Sequence, residues 1–175
     1  MMSWPLAVPA GSLLAVLLMM LAESRVSRRH ERDLRQRGAV EPPDDVYVTM
    51  RWAYPAAFVV MAAEGAASGP PAAPVTLAGA VLLTAAKGLK WWAMASLGPR
   101  WTFRVLIVPG APLVNTGPYA VLRHPNYVAV VGELMSMALL VGAGVTGPAS
   151  LLLFSLLLRR RIRVENRAIR RPARS

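Results

Sequence analysis

The chain has 175 residues, of which 55% are hydrophobic and 17% charged, with a formal net charge of +11 and no cysteine. A mean hydropathy of +0.42 sets it apart from soluble domains and points to the membrane class, at the length of about one domain. Without cysteine there are no disulfides, no cysteine-type zinc sites and no thiol catalysis. Of the twenty Lys and Arg, seven lie in 25–51, two are Lys87 and Lys90, three lie in 100–123 and eight in 159–174. Every group flanks or ends an apolar segment, so membrane topology accounts for the charge and no nucleic-acid partner is expected.

In chain order, 5–22 (PLAVPAGSLLAVLLMMLA) is eighteen residues without a charge, long enough at about 1.5 Å per residue to approach a hydrocarbon core of roughly 30 Å. With no basic residue before it and ESRVSRRHERDLRQR directly after, it reads as an uncleaved anchor with its N-terminus outside. Residues 23–45 form a basic cytoplasmic segment, helical until Gly38 caps it and EPPDD breaks the chain. His30, inside this charge run, is expected to be solvated.

The second and third helices are predicted within 46–97, separated by SGPPAAP. Lys87 and Lys90 are expected to snorkel from the third helix to the cytoplasmic surface. Residues 98–126, with five prolines and three glycines, cannot form one helix and are a cytoplasmic loop. The apolar run 127–158, interrupted by GAGVTGP, predicts a short helical hairpin, either tilted and spanning or partly re-entrant. A C-terminal cytoplasmic helix is expected over 159–175.

The expected fold is therefore all-α and polytopic, one membrane-embedded domain over 1–175 with about five transmembrane helices. Its N-terminus lies outside and its C-terminus in the cytoplasm, as suits a multi-pass protein of the inner (plasma) membrane. All twenty basic residues then fall on or at the helix ends facing one side. No internal repeat or sustained heptad is present.

The familiar signatures of soluble enzymes are absent, and the two histidines, without a carboxylate cluster beside either, make a metal site unexpected. His124 stands between Arg123 and Pro125 at the start of an apolar helix. Pro125 suits the first helical position, where free amide N–H groups and the helix dipole attract an anion. Tyr119 and Tyr127 offer ring faces for a cation or an adenine. The same residues also suit an interfacial anchor with an aromatic belt, and their chemistry alone leaves both readings open.

GPYAVLRHPNY (117–127), preceded by LGPRWTFRVLIVPGAPLVNT and followed about forty residues on by RIRVENRAI, resembles the isoprenylcysteine carboxyl methyltransferase family. Those integral membrane enzymes use S-adenosylmethionine and carry R-H-P-x-Y with a later E-E-x-x-L. The likeness runs in order over roughly 28–170. RHERDLRQRGAVEPPDDVY and GPRWTFRVLIVPGAPLV look more like the bacterial branch associated with methylation of phenolic lipids. The resemblance implies a cofactor site of Gly117, Tyr119, Arg123, His124, Pro125 and Tyr127 on one side and Glu165 on the other. In the later motif this chain departs from the family, with Asn166 for the second acid and Ile169 for the leucine; Asn166 can still hydrogen-bond but carries no charge, so a role needing both carboxylates is not carried over from the resemblance.

On that resemblance the protein is expected to methylate a lipophilic acceptor among the membrane lipids, at a site facing the cytoplasm. The leading acceptor is the hydroxyl of an alkylresorcinol or alkylpyrone; the alternative is the carboxylate of a prenylated cysteine. A phenol, with a pKa near about 10, benefits from a proton acceptor. His124 is the first candidate and Glu133 the second, because an ionisable group inside an apolar run is functional or paired. For Glu133 the competing reading is a buried pair with Lys87 or Lys90. Arg104, with Arg100 and Trp101, forms a basic-aromatic cluster suited to orienting an acceptor oxygen or binding anionic lipid. From another class stands a non-catalytic membrane scaffold that binds anionic lipid.

Overall fold

The computed structural model describes residues 4–170. Among them are five α-helices: α1 (Trp4–Gln36), α2 (Tyr47–Ser68), α3 (Ala73–Leu97), α4 (Pro125–Val141) and α5 (Thr146–Arg170). The described residues form no strand; an isolated antiparallel bridge pairs Val40 with Ile107. The last residues of the expected C-terminal helix, 171–175, lie outside the described residues.

Two boundaries differ from expectation for one reason. No Gly or Pro occurs between 12 and 37 or between 149 and 170, so nothing stops a helix where polarity changes. The apolar anchor and the basic segment are therefore one 33-residue helix, about 50 Å long. Likewise α5 passes through Leu158 without a break, and the expected C-terminal helix is its continuation. Gly38 does cap α1. Its φ is +77°, its N–H donates to the Arg35 carbonyl at 3.1 Å, and that of Ala39 to Leu34 at 3.0 Å, the paired bonds of a Schellman stop.

Contacts along the helices set their directions. Gly79 of α3 faces Leu140 and Gly132 of α4 faces Ala86, so these two helices are antiparallel. Tyr54 of α2 meets Glu133 and Gly65 meets Val141, so α2 and α4 run the same way. A Cβ on Gly65 would lie 2.4 Å from the Val141 carbonyl oxygen and one on Gly79 2.8 Å from the Leu140 nitrogen. Glycine there permits the backbones to touch, as small residues do between membrane helices. At the far end Glu64 of α2 accepts the N–H groups of Val145 (2.9 Å) and Thr146 (2.7 Å), capping α5. The starts of α2 and α4, the ends of α1, α3 and α5, and the 98–124 loop consequently gather at one end of the bundle.

The apolar core lies between α1, α2, α4 and α5, with Phe58, Met61, Leu134, Met137, Val141 and Phe154 buried. Tyr54 meets Phe58 edge-on at 5.1 Å and Phe154 at 5.0 Å. Outside, Leu14, Leu77, Val81, Leu152 and Leu153 are exposed. By length and composition α1, over Leu6–Gln36, qualifies as a membrane span, and Pro125–Val141 is a shorter apolar helix.

Inside this core sits a closed ring of charges. Lys87 Nζ lies 2.8 Å from Glu23 and 2.9 Å from Glu133; Lys90 Nζ lies 2.7 Å from Glu23 and 3.1 Å from Glu133. The Tyr54 hydroxyl donates to Glu133 at 2.8 Å. All four charged groups are buried, and their formal charges cancel. The lysines thus do not snorkel to the surface: two carboxylates within reach offset their desolvation better than a bent path out of the bundle. The ring ties α1, α2, α3 and α4 together at one height.

Candidate active site

At the loop end of the bundle, α4 begins with His124 as its N-cap and Pro125 buried in its first turn. Tyr127 follows less than one turn on, so its ring stacks on that of His124 at 5.3 Å and 23°. Across from them, Arg161 and Glu165 are four residues apart on α5 and share a face. The Tyr127 hydroxyl donates to Glu165 Oε2 at 2.6 Å and accepts from Arg161 Nε at 3.0 Å. His124 Nδ1 is 3.9 Å from the same carboxylate oxygen. The two motif halves, 38 positions apart from Tyr127 to Glu165, are in direct contact.

Arg161 is the hub that holds this junction. Its guanidinium donates to Asp45 Oδ1 at 3.1 Å and to the Phe103 carbonyl as well as to Tyr127. Asp45 accepts in addition the N–H of Tyr47 at 3.2 Å and of Val105 at 3.1 Å. One buried arginine therefore fixes the start of α2, the loop and the start of α4 against α5, each of its three nitrogens donating one hydrogen bond. Neither Arg161 nor Asp45 stands out in the sequence: one hides in a run of arginines, the other in a turn. The available signal was the i, i+4 spacing of Arg161 to Glu165.

The loop is clamped to α1 on its other side. Ser27 accepts the Phe103 N–H at 2.8 Å, and His30 Nδ1 donates to the Trp101 carbonyl at 2.8 Å. His30 is therefore half-buried and bonded rather than solvated, because the helical extension of α1 brings it under the loop. Trp101 is buried, its indole N–H donating to Asn126 at 3.3 Å. Gly117, with φ +59°, starts the turn Gly117–Ala120; a Cβ there would fall 2.1 Å from Ser96 Oγ and 3.1 Å from the Trp92 indole nitrogen. Only glycine lets this turn lie against α3. That places Tyr119 near Glu165: burial first, and then this negative charge, raise the Tyr119 phenol above its ordinary pKa and keep it protonated.

Not all the expected site residues converge. Arg123 is exposed beside the junction. Glu133 lies nine positions beyond His124, about 13 Å along α4, and is held in the charge ring, the competing reading for that residue. Arg104 lies over the Tyr47 ring at 4.4 Å and pairs with Glu41 at 2.5 Å and Glu31 at 3.5 Å. Arg100 donates to the Pro112 carbonyl. Arg100, Trp101 and Arg104 thus disperse instead of clustering, since each finds a separate partner. The amide cradle at the start of α4 is also smaller than expected: Pro125 has no N–H and that of Tyr127 returns to the His124 carbonyl at 3.1 Å.

At this junction one buried polar atom is left over. His124 Nε2 has no hydrogen-bond partner among the described residues, an unmet group of the kind a ligand satisfies. The set around it has an imidazole, two phenols, a carboxylate and an exposed arginine, which fits a molecule bearing an ammonium, a carboxylate and a flat ring. No group of His, Asp and Glu able to hold a metal ion occurs among the described residues.

Residues 78–171 match the isoprenylcysteine carboxyl methyltransferase (ICMT) family. The chain is 32% identical over 161 residues to "Uncharacterized protein YpbQ" of Bacillus subtilis (strain 168), covering 90% of this chain and 94% of that protein. No solved structure matches it. The contact between the 117–127 segment and Glu165 falls inside the matched region, and the chain belongs to the isoprenylcysteine carboxyl methyltransferase family of membrane-integral, S-adenosylmethionine-dependent methyltransferases.

Proposed function

We propose that this protein is a multi-pass membrane methyltransferase acting on a lipophilic acceptor, with the loop end of its bundle at the cytoplasmic face. The observation that carries the reading is the meeting of His124, Tyr127 and Glu165 around a buried imidazole nitrogen that has no partner. When bound, S-adenosylmethionine supplies a methyl group on a sulfonium, open to in-line attack. The chain's own task is to hold that methyl and the acceptor in line and to exclude water. Glu165 suits the cofactor's ammonium and Arg123 its carboxylate. The faces of Tyr119, Tyr127 and His124 suit its adenine or sulfonium. Gly117 lets the turn carrying Tyr119 approach, and Arg161 positions Tyr127 and Glu165.

For the acceptor we propose the hydroxyl of a long-chain resorcinol or pyrone, supported by the likeness of 29–47 and 98–114 to the bacterial phenolic-lipid branch. His124 is then the base, since its free nitrogen faces no competing group of the protein. Glu133 and Arg104 act at a distance, one within the charge ring and one in the clamp on the loop. The family's name favours a second reading, the carboxylate of a prenylated cysteine, which needs no base.

Calorimetry with S-adenosylmethionine tests the site. Glu165→Gln is expected to weaken binding roughly ten- to a hundred-fold, the size of a lost charge-assisted hydrogen bond of about 1.5–3 kcal/mol. His124→Ala is expected to weaken it as well. No saturable binding by the unmodified protein returns it to the scaffold class. Incubation with labelled cofactor and either a long-chain resorcinol or a farnesylated cysteine analogue then separates the two acceptors.

A further inference from the structure

Beyond the site, one face of α1 changes character abruptly along its length. Leu14, Leu18 and Leu21 are exposed, and so are Arg25, Arg28 and Arg32. At 3.6 residues per turn these six project within a sector about 100° wide. The face is a leucine ladder that becomes an arginine stripe, with Arg29 at its edge. Arg25, Arg28, Arg29 and Arg32 have no carboxylate partner among the described residues, although they repeat at i+3 and i+4, where like charges repel. With Arg35 and Glu31 they line an open depression of about 540 Å³.

The charge ring fixes where this change occurs in the bundle. Glu23, Tyr54, Lys90 and Glu133 meet at one height. Counted towards the loop end at about 1.5 Å per residue, Trp52, Trp91 and Trp92 lie within roughly 3 Å of it. The first arginines, 25–29, lie about 3–9 Å above it. Those three tryptophans are 67%, 55% and 56% exposed, as indoles at a membrane surface are. Helical side chains also lean towards the N-terminus, which on α1 is the apolar direction. The guanidinium groups consequently reach back into the tryptophan layer.

We propose that this face of α1 binds anionic phospholipid from the surrounding leaflet. The acyl chains lie along Leu14, Leu18 and Leu21, and the phosphate-bearing headgroup on Arg25, Arg28 and Arg32. The continuity of leucines into arginines favours a lipid over an acidic protein, which has no use for the ladder below. The opposite face of the same turns carries Ser27 and His30 into the loop, so a headgroup seated there braces the helix that clamps the active-site loop. The proposal rests on the membrane reading above.

The test uses the full chain in neutral detergent, titrated with phosphatidylglycerol or phosphatidylcholine and followed by native mass spectrometry. The unmodified protein is expected to retain phosphatidylglycerol in preference. R25Q/R28Q/R32Q weakens that binding by roughly five-fold per arginine and leaves phosphatidylcholine binding unchanged. A control of equal charge, R159Q/R160Q/R163Q on the exposed part of α5, keeps the preference. Equal retention of both lipids by the unmodified protein, or equal losses in the two variants, overturns the proposal. Cofactor calorimetry on the same samples separates the readings. Cofactor binding without lipid preference removes only the lipid face, and lipid preference without cofactor binding removes only the methyltransferase.

Discussion

At the scale of residues, Tyr127 joins Arg161 to Glu165 at the meeting of the two motif halves. The Tyr127 hydroxyl takes a hydrogen bond from Arg161 and donates one to Glu165. Tyr127→Phe removes both and leaves a buried guanidinium N–H unpaired, which costs about 1–3 kcal/mol. Thermal unfolding in detergent is expected to show that loss, together with weaker cofactor binding as Glu165 swings free. Arg161→Lys should recover little, because a point charge cannot serve Tyr127, Asp45 and the Phe103 carbonyl at once. A Lys variant as stable as the parent would show that the fork geometry is irrelevant.

Between elements, charge pairs link helices that the apolar core packs together. Breaking the ring with Glu133→Gln leaves two buried lysines against one glutamate, a change that costs about 3–5 kcal/mol in comparable buried pairs. The double variant Glu133→Gln/Lys87→Met restores charge balance and is expected to be more stable than Glu133→Gln alone. If the double variant is the worse of the two, the ring is not balanced by charge. At the loop end, Glu41 pairs with Arg35 and Arg104 to hold the loop to α1. Its burial pushes the carboxyl pKa up, but the hydrogen bonds and charges of Arg104 and Arg35 outweigh this, leaving it below its ordinary 4.5. A lowered folded-state value means that the clamp's contribution is complete above 4.5 and is lost as the pH falls through the depressed value. Limited proteolysis within the 98–124 loop should therefore speed up in acid, and Glu41→Gln should cleave fast already at neutral pH.

Over the whole molecule, alternating helix directions bring the basic clusters among the described residues and both motif halves to one end, leaving Glu64 to cap α5 at the other. Overpacking Gly65 pushes α2 away from Val141; Gly65→Leu is expected to destabilise by about 1–3 kcal/mol or more, read as a lower unfolding temperature with cofactor affinity at the distant site little changed. The amino-acid sequence by itself determined the helical class, the apolar segments and the Gly38 stop, because periodicity, turn chemistry and charge asymmetry are local properties; the pairing of 117–127 with Glu165 was implied by the family resemblance of the two motifs. Helix continuity through 22–23 and 158–159 was legible too, in the absence of any Gly or Pro, although the change of polarity concealed it. Only the tertiary structure decided which charges meet: that Lys87 and Lys90 turn inward to Glu23 and Glu133, that Arg104 clamps the loop, and that Arg161 and Asp45 brace the site. Such pairs depend on the depth and rotation of one helix against another, and those are set by close contacts such as Gly65 on Val141 and Gly79 on Leu140, which join positions far apart in the chain.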